Sequence, residues 1–241
     1  HPFLLLISVL HIGVSGYPNA AETLKILRTR LNVEIRECGD WLPNSMHLWR
    51  ITRAPKLLQF MSLIRLSIGN LVSLMVVLSQ HGQQRTPVYV PYPAIFFLWW
   101  SSWIPSRWRP RIIADAYISI WDSMYRDRAN TPTFSRMAKA LKAIESRALR
   151  AAKIILVDTE SNRNMLVNEL GLAEKSIVTL PLAIEDKPFL DIIPQTETTK
   201  KPLTVLFIGT LIPLHGIEVI LGTVELLIKD PKFNFRFIGD G

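Results

Sequence analysis

Glycine and acidic residues follow two of the strands predicted in the first half of the chain, and chemistry could take place at these strand ends. Gly13 and Gly16 follow the first predicted strand, and Asp115 and Asp122 follow a middle one. Open parallel sheets bind ligands at the carboxyl ends of their strands. Glycines let backbone amides approach a ligand closely, and carboxylates could accept hydroxyl groups or protons. A plain turn and a loop cap are the competing interpretations of these two pairs.

A second group of candidate residues lies at strand ends near the C-terminus. Gly209 and Thr210 follow one predicted strand, Gly239 follows the next, and a helix begins near Gly216. The amides of a helix N-terminus could hold a phosphate group, to which Thr210 could donate a hydrogen bond. A protonated His215 could add a positive charge. A structural histidine and simple turns are again the competing interpretations.

Motifs of several other enzyme classes do not occur in the sequence. It has no GxxxxGK[ST] phosphate loop and no GxSxG nucleophile elbow. The first glycine loop lacks GxGxxG spacing, which argues against a nicotinamide or flavin dehydrogenase. The five histidines are scattered, Cys38 is the single cysteine and no HExxH motif occurs, so the residues themselves predict no metal site.

The C-terminal segment has the pattern of a βαβ unit. Leu203–Ile208 is a continuous apolar run, residues 217–228 are apolar at helical spacing, and Phe233–Ile238 alternates as a second strand. The crossover makes the two strands parallel. A lone unit of this size cannot bury a core of its own. We therefore expect residues 202–241 to open a second domain and the chain to be a fragment.

The preceding residues predict an α/β domain. Strands are expected near 3–10, 33–37, 88–90, 111–114, 154–157 and 177–180, with helices between them. The first of these segments could also be a signal-peptide core, but it lacks the basic flank. We expect one complete doubly wound, Rossmann-like domain over residues 1–190, a polar linker over 191–201 and a partial domain over 202–241.

Two helical segments of this domain carry specific expectations. The helix over residues 135–152 is expected to pack through an apolar face formed by Met137, Leu141, Ile144 and Ala148. Residues 41–80 predict one or two packed helices and no membrane span, because Arg65 and the pair at 69–70 interrupt the apolar runs.

Positive charge is concentrated in the first part of the chain. Residues 1–150 carry a net charge of +11 and residues 151–241 one of −3, which together give the +8 of the whole chain. This asymmetry indicates an anionic partner or a solvated basic face. The basic residues are dispersed and no nucleic-acid-binding module occurs, so we expect no nucleic acid as a partner.

Three sequence blocks resemble the retaining glycosyltransferases of family 4. VLFIGTLIPLHGIEVIL resembles the opening of the family's nucleotide-sugar domain, and FRFIGDG resembles its next strand and turn. The third block, in the back half of the first domain, runs from RIIADAYISIWDSMYRDR through ESRALRAAKIILVDTESNRNML to VTLPLAIEDKPF. The resemblance implies a GT-B fold, in which two Rossmann-like domains face each other across a cleft.

The resemblance also implies an activity and a division of roles. Such enzymes move a sugar from a nucleotide-diphosphate donor to an acceptor with retention of configuration and without a bound metal. Gly13 and Gly16 would lie on the acceptor side near the donor phosphates, while Gly209 and Thr210 would lie under the diphosphate. Thr210 and His215 stand where many members have Arg and Lys, and Asp115 stands near a position often occupied by His. The paired glutamates of the family, spaced E-x7-E, do not occur in this chain, so we expect it to be inactive alone.

The family often acts at membrane surfaces on lipid-linked or polysaccharide acceptors, which fits the basic first half. We expect a cytoplasmic protein that could lie peripherally on the inner face of the membrane. Two clusters of aromatic and basic residues are candidates for lipid contact. The first comprises Trp41, Trp49, Arg50, Arg53, Lys56 and Arg65, and the second Trp99, Trp100, Trp103, Trp108, Arg107, Arg109 and Arg111. A sugar-nucleotide epimerase with a GT-B-like fold and a non-enzymatic membrane-associated α/β protein are the alternative functions.

Overall fold

The computed structural model of the chain has an α/β architecture. It describes residues 6–8, 11–12, 25–26, 29, 35–37, 40–42, 55–81, 87–125, 135–182, 202–209, 211 and 215–239. The chain divides into two compact units. The first comprises His1–Trp121 and Phe134–Ile184, and the second Asp122–Thr133 and Glu185–Gly241.

A four-stranded parallel sheet forms the centre of the first unit. Its strands, in both chain order and spatial order, are β5 (Val88–Val90), β6 (Ile112–Asp115), β7 (Ile154–Val157) and β8 (Ile177–Thr179). All three residues of β5 are buried, as expected for a parallel strand covered on both faces. The sequence therefore predicted these four strands and their parallel character correctly.

In the described part of the chain, short strands and helices complete the first unit and its border. Parallel pairs form between β1 (Leu6–Ser8) and β3 (Ile35–Glu37) and between β2 (His11–Ile12) and β4 (Asp40–Leu42). The helices are α1 (Lys56–His81), α2 (Ile95–Ser101), α3 (Ile120–Tyr125), α4 (Arg136–Leu149) and α5 (Glu160–Asn168). A 3₁₀ turn at Glu174–Ser176 precedes β8. Residues 11–12 were expected in a loop, and their pairing with β4 corrects that prediction.

Helix capping explains where two of these helices begin. The Ser135 side chain accepts a hydrogen bond from the amide of Ala138, and the Thr159 side chain accepts one from the amide of Asn162. Both caps satisfy an amide that the helix itself leaves unpaired, and both place the start of the helix where the sequence predicted it. The helices are held against the sheet by apolar residues such as Phe97 and Leu166, which are fully buried.

The inward face of α4 differs from the predicted one. Met137 is 74% exposed and Ile144 is 38% exposed, whereas Ala138, Glu145 and Ala148 are buried. The small alanines allow α4 to approach α2 closely, and the wider apolar side chains point away from the core. The predicted face is therefore confirmed at Ala148 and wrong at Met137 and Ile144, while Leu141 is partly buried.

Helix α1 is a single helix of 26 residues, and Gly69 and Asn70 lie within it without ending it. By length and composition alone, the segment Lys56–Ser79 could cross a bilayer. In the protein, 39% of the most apolar stretch of this segment is buried. One face of α1 packs on α2 and β4. Asn70 is fully buried there and donates a hydrogen bond to the carbonyl oxygen of Leu66 at 2.8 Å.

The second unit contains the predicted βαβ arrangement. Strand β9 (Leu203–Ile208) pairs in parallel with β10 (Phe233–Ile238), and α6 (Ile217–Leu227) connects them. All three elements lie within one residue of the predicted bounds. None of the residues of α6 is buried, and Leu226 is 85% exposed. The predicted linker over 191–201 lies outside the described residues.

Candidate functional site

Asp115 is the last residue of β6 and lies at the carboxyl edge of the sheet. Its side chain is 2% exposed and accepts a hydrogen bond from the hydroxyl group of Tyr89 on β5. Burial raises the pKa of Asp115 to about 6, while hydrogen bonds from Tyr89 and Tyr117 act in the opposite direction. Burial and the neighbouring Asp115 charge also raise the pKa of Tyr89 above its ordinary value. Both tyrosines therefore remain proton donors to this carboxylate at neutral pH.

A small cavity of about 20 Å³ lies beside Asp115 and is also lined by Tyr92, Ile118 and Glu145. A volume of that size accommodates about one water molecule. A carboxyl group that titrates near pH 6 could accept or give a proton at this position. Asp115 could therefore exchange a proton with a group in this cavity, at the edge where parallel sheets bind their ligands.

Asp122 lies in the first turn of α3, which corrects its predicted place in a loop. A carboxylate in the first turn interacts favourably with the amide dipoles of a helix. Asp122 is partly buried. Its position therefore supports a role in stabilising the helix, while its predicted catalytic role remains a prediction.

Glu145 is a buried carboxylate that the sequence did not predict as a functional residue. Its two oxygens accept hydrogen bonds from the amides of Ile120 and Trp121, both at 2.8 Å, and from Ser119 Oγ at 3.0 Å. A side chain of α4 therefore caps the start of α3 and fixes the loop that follows Asp115. The signal was present in the spacing, because Ala138, Glu145 and Ala148 fall on one helical stripe.

Three of the predicted binding residues lie together in the second unit. Gly209 and Gly239 follow β9 and β10 at the same edge, and the Gly209 amide donates to the carbonyl oxygen of Ile238 at 3.0 Å. A Cβ atom on Gly239 would lie 1.8 Å from the carbonyl oxygen of Gly209, which only glycine avoids. A Cβ atom on Gly209 would lie 3.5 Å from Nδ1 of His215, so the imidazole lies directly over this edge.

The ring of His215 is held beside Phe207 with their centroids 6.4 Å apart. Gly216 follows in the left-handed region at φ 64° and serves as the N-cap of α6. The strand edge thus combines exposed backbone, an imidazole and the start of a helix, a combination suited to an anionic group. Thr210, Gly13 and Gly16 lie outside the described residues, and their predicted roles remain predictions.

The second aromatic cluster is divided between interior and surface. Trp100 is partly buried and its Nε1 donates to the carbonyl oxygen of Ser67 at 2.9 Å. Trp103 and Trp108 are 59% and 62% exposed. Arg107 lies over the ring of Trp108 at 4.5 Å, and Arg147 lies over that of Trp103 at 3.8 Å. In the first cluster, residues 49, 50 and 53 lie outside the described residues.

No protein-family model matches the chain, and no curated protein matches it at a significant level. Within the described part of the chain, no group of three or more His, Cys, Asp or Glu side chains could hold a metal ion. The chain's own residues and their geometry are therefore the basis for assigning a function.

Proposed function

We propose that this chain belongs to a retaining glycosyltransferase of the GT-B type. It would bind a nucleotide-diphosphate sugar through its second unit and transfer the sugar to a glycan or lipid-linked acceptor. The nucleotide sugar is a substrate in this proposal, and neither a metal nor a separate cofactor takes part. The four-stranded parallel sheet and the separate βαβ unit are compatible with two Rossmann-like domains.

One observation carries the proposal: the glycine edge formed by Gly209 and Gly239 with His215 beside it. The two backbones approach so closely that no side chain fits at Gly239, so this edge presents backbone rather than side chain to a ligand. An imidazole can donate a hydrogen bond to a phosphate oxygen. A diphosphate is the group that this combination of backbone, imidazole and helix start would bind.

The acceptor side of the proposal rests on Asp115. An acceptor hydroxyl group loses its proton during glycosyl transfer, and a carboxylate with a pKa of about 6 is ionised and able to take up that proton at neutral pH. The loop held by Glu145 would present the acceptor to this carboxylate.

Replacing His215 with alanine should weaken binding of nucleotide diphosphates by about tenfold, because one hydrogen bond to a charged oxygen is lost. Isothermal titration of the 241-residue chain with UDP, GDP, ADP and their sugar derivatives would measure this. Lys229→Ala is the matched control, since it removes a cation near the opposite end of α6, and its affinity should equal that of the parent chain. Absence of binding to every nucleotide would refute the proposal and favour the non-enzymatic alternative.

The outer face of α1 supports a lipid surface as a further partner. Six apolar residues lie on one stripe along about 27 Å of this helix and are all more than 40% exposed. They are Leu57, Met61, Ile64, Ile68, Val72 and Met75. The opposite, buried face contains the polar Ser62, Asn70 and Ser73. The more apolar face of the helix therefore points outwards, the reverse of the usual arrangement in water.

The charges on α1 match an anionic membrane. Helix α1 has two basic residues, Lys56 and Arg65, and a histidine at its C-terminal end. It has no acidic residue. A helix of this type lies in the interface with its apolar face in the acyl region and its basic residues at the headgroups. The full protein would thus be cytoplasmic and bound peripherally to the inner face of the membrane.

The double variant Ile64→Ser with Ile68→Ser should reduce sedimentation with anionic phospholipid vesicles at least about tenfold, because two apolar side chains no longer enter the lipid. The control is Met137→Ser with Val178→Ser, which removes two exposed apolar residues of the same unit. If the parent chain stays in the supernatant, or if both double variants sediment equally, α1 does not contact lipid.

A further inference from the structure

A groove of about 460 Å³ lies between α4 and the end of α2, and none of the residues that line it takes part in the proposed transfer reaction. Three arginines line it: Arg109 from the loop after α2, Arg147 from α4, and Arg150 directly after the last residue of α4. Neighbouring positions are occupied by small residues such as Ser102 and Ser146. The groove therefore has room for a ligand group in front of three guanidinium groups.

Backbone carbonyl groups hold two of the arginines in place. Arg109 donates from Nε to the carbonyl oxygen of Ser101 at 3.0 Å and from Nη2 to that of Ile104 at 2.8 Å. Arg150 donates from Nη2 to the carbonyl oxygen of Gly171 at 3.0 Å. These bonds fix the orientation of both side chains without neutralising their charge. In the described part of the chain, the Nη1 groups of both have no acceptor.

Arg147 is held by an aromatic ring. Its guanidinium lies 3.8 Å from the ring centroid of Trp103, and its Nε donates to Ser102 Oγ at 3.2 Å. Trp103 in turn packs edge-to-face on Trp99. Stacking leaves the edge of the guanidinium, with its Nη donors, available to a ligand. Arg147 is exposed, so a ligand can reach it.

Among the described residues, no carboxylate forms an ion pair with an arginine of the groove. The ion pairs in that part of the chain join Lys142 to Glu169 and Arg163 to Glu160 and Glu174. Burial lowers the pKa of Arg109 below its ordinary value, which reflects a desolvated cation. Three oriented cations without a carboxylate form a site for an anion.

We propose that this groove binds a phosphate group, with Arg109, Arg147 and Arg150 as its ligands. Guanidinium groups bind phosphate oxygens through paired hydrogen bonds, and their planar edges fit the tetrahedral anion. The site lies apart from the glycine edge of the second unit in sequence and composition, and it goes beyond the proposed transferase function. It can be tested without any sugar nucleotide.

The phosphate could belong to a dissolved anion or to a lipid headgroup. Trp103 and Trp108 are both exposed beside the basic groups, and tryptophan favours the headgroup layer of membranes. One arm of the test therefore uses inorganic phosphate and pyrophosphate in calorimetry. The other uses phosphatidylcholine vesicles that contain phosphatidic acid. In the control vesicles, oleate replaces phosphatidic acid and supplies the same charge without a phosphomonoester group.

The double variant Arg147→Gln with Arg150→Gln should lose at least about tenfold in affinity for the phosphate source that binds. The control is Arg136→Gln with Lys139→Gln, which removes the same charge from the same helix outside the groove. Arg147→Lys keeps the charge but not the planar stack, and should give an intermediate loss. Circular dichroism melts verify that each variant is folded.

Binding to phosphate in solution would indicate a soluble ligand, and binding only to phosphatidic acid vesicles would indicate a headgroup. Either result, together with the loss in the groove variant, supports the site. Equal affinities of the groove and control variants, or no binding in either arm, would overturn it. Because the glycine edge could also bind pyrophosphate, the variants separate the two sites: binding at the groove is lost in Arg147→Gln with Arg150→Gln and kept in His215→Ala.

Discussion

Replacing Glu145 with alanine should lower the free energy of unfolding of the first unit by about 3 kcal/mol. The side chain is buried, and its carboxylate accepts hydrogen bonds from the amides of Ile120 and Trp121 and from Ser119 Oγ. Each bond to a charged group contributes on the order of 1.5–3 kcal/mol, and the amides left behind are expensive to bury unpaired. Because these donors begin α3, the loop after Asp115 should loosen as well.

Urea unfolding followed by tryptophan fluorescence would measure this effect. Glu145→Gln keeps one acceptor oxygen and the size of the side chain, so its loss should be smaller, about 1–2 kcal/mol. Glu169→Ala serves as the control, since it breaks only the partly exposed pair with Lys142 and should cost less than about 1 kcal/mol. If Glu145→Ala costs no more than Glu169→Ala, the carboxylate does not hold α3.

Replacing Asp115 with asparagine should remove a large part of the pH dependence of stability. Burial raises the folded-state pKa to about 6. An aspartate in the unfolded chain titrates near pH ~3.9, so the folded protein binds the proton more tightly. The stabilisation that protonated Asp115 provides is therefore complete below about pH 4, and it is lost as pH rises through about 6. Across that window the loss amounts to about 3 kcal/mol.

Urea midpoints between acidic and slightly alkaline pH, for the parent chain and Asp115→Asn, would measure the difference. The variant should have the flatter profile, because it has no proton to release at this position. Tyr89→Phe should move the steep region to higher pH, since the hydrogen bond from Tyr89 favours the ionised carboxylate. Identical profiles for the parent chain and Asp115→Asn would show that Asp115 has an ordinary pKa, and its proposed role as a base near neutral pH would lose its support.

The proposed proton acceptor and the proposed diphosphate site lie on different units. Asp115 and Glu145 belong to the edge of the four-stranded sheet, whereas Gly209, His215 and Gly239 belong to the βαβ unit. A two-substrate transfer reaction needs both kinds of site. The Glu145 and Asp115 variants probe the first unit alone, and the His215 variant probes the second.

The sequence by itself determined the order and type of most elements. The apolar runs at 154–157 and 203–208 and the helical spacing at 217–228 are local patterns, and each produced the predicted strand or helix. It also determined that Gly209 and Gly239 would meet, because a βαβ crossover makes the two strands parallel and brings their ends to one edge.

Only the tertiary structure decided which face of a helix turns inwards and which charges remain unbalanced. Met137 and Ile144 have the spacing of a buried face, yet they are exposed, and the small Ala138 and Ala148 are buried on this helix, which packs on α2. The hydrogen bond from Tyr89 to Asp115 and the stacking of Arg147 on Trp103 join residues 26 or more positions apart in the chain. Burial and charge balance depend on such distant neighbours, and no local pattern specifies them.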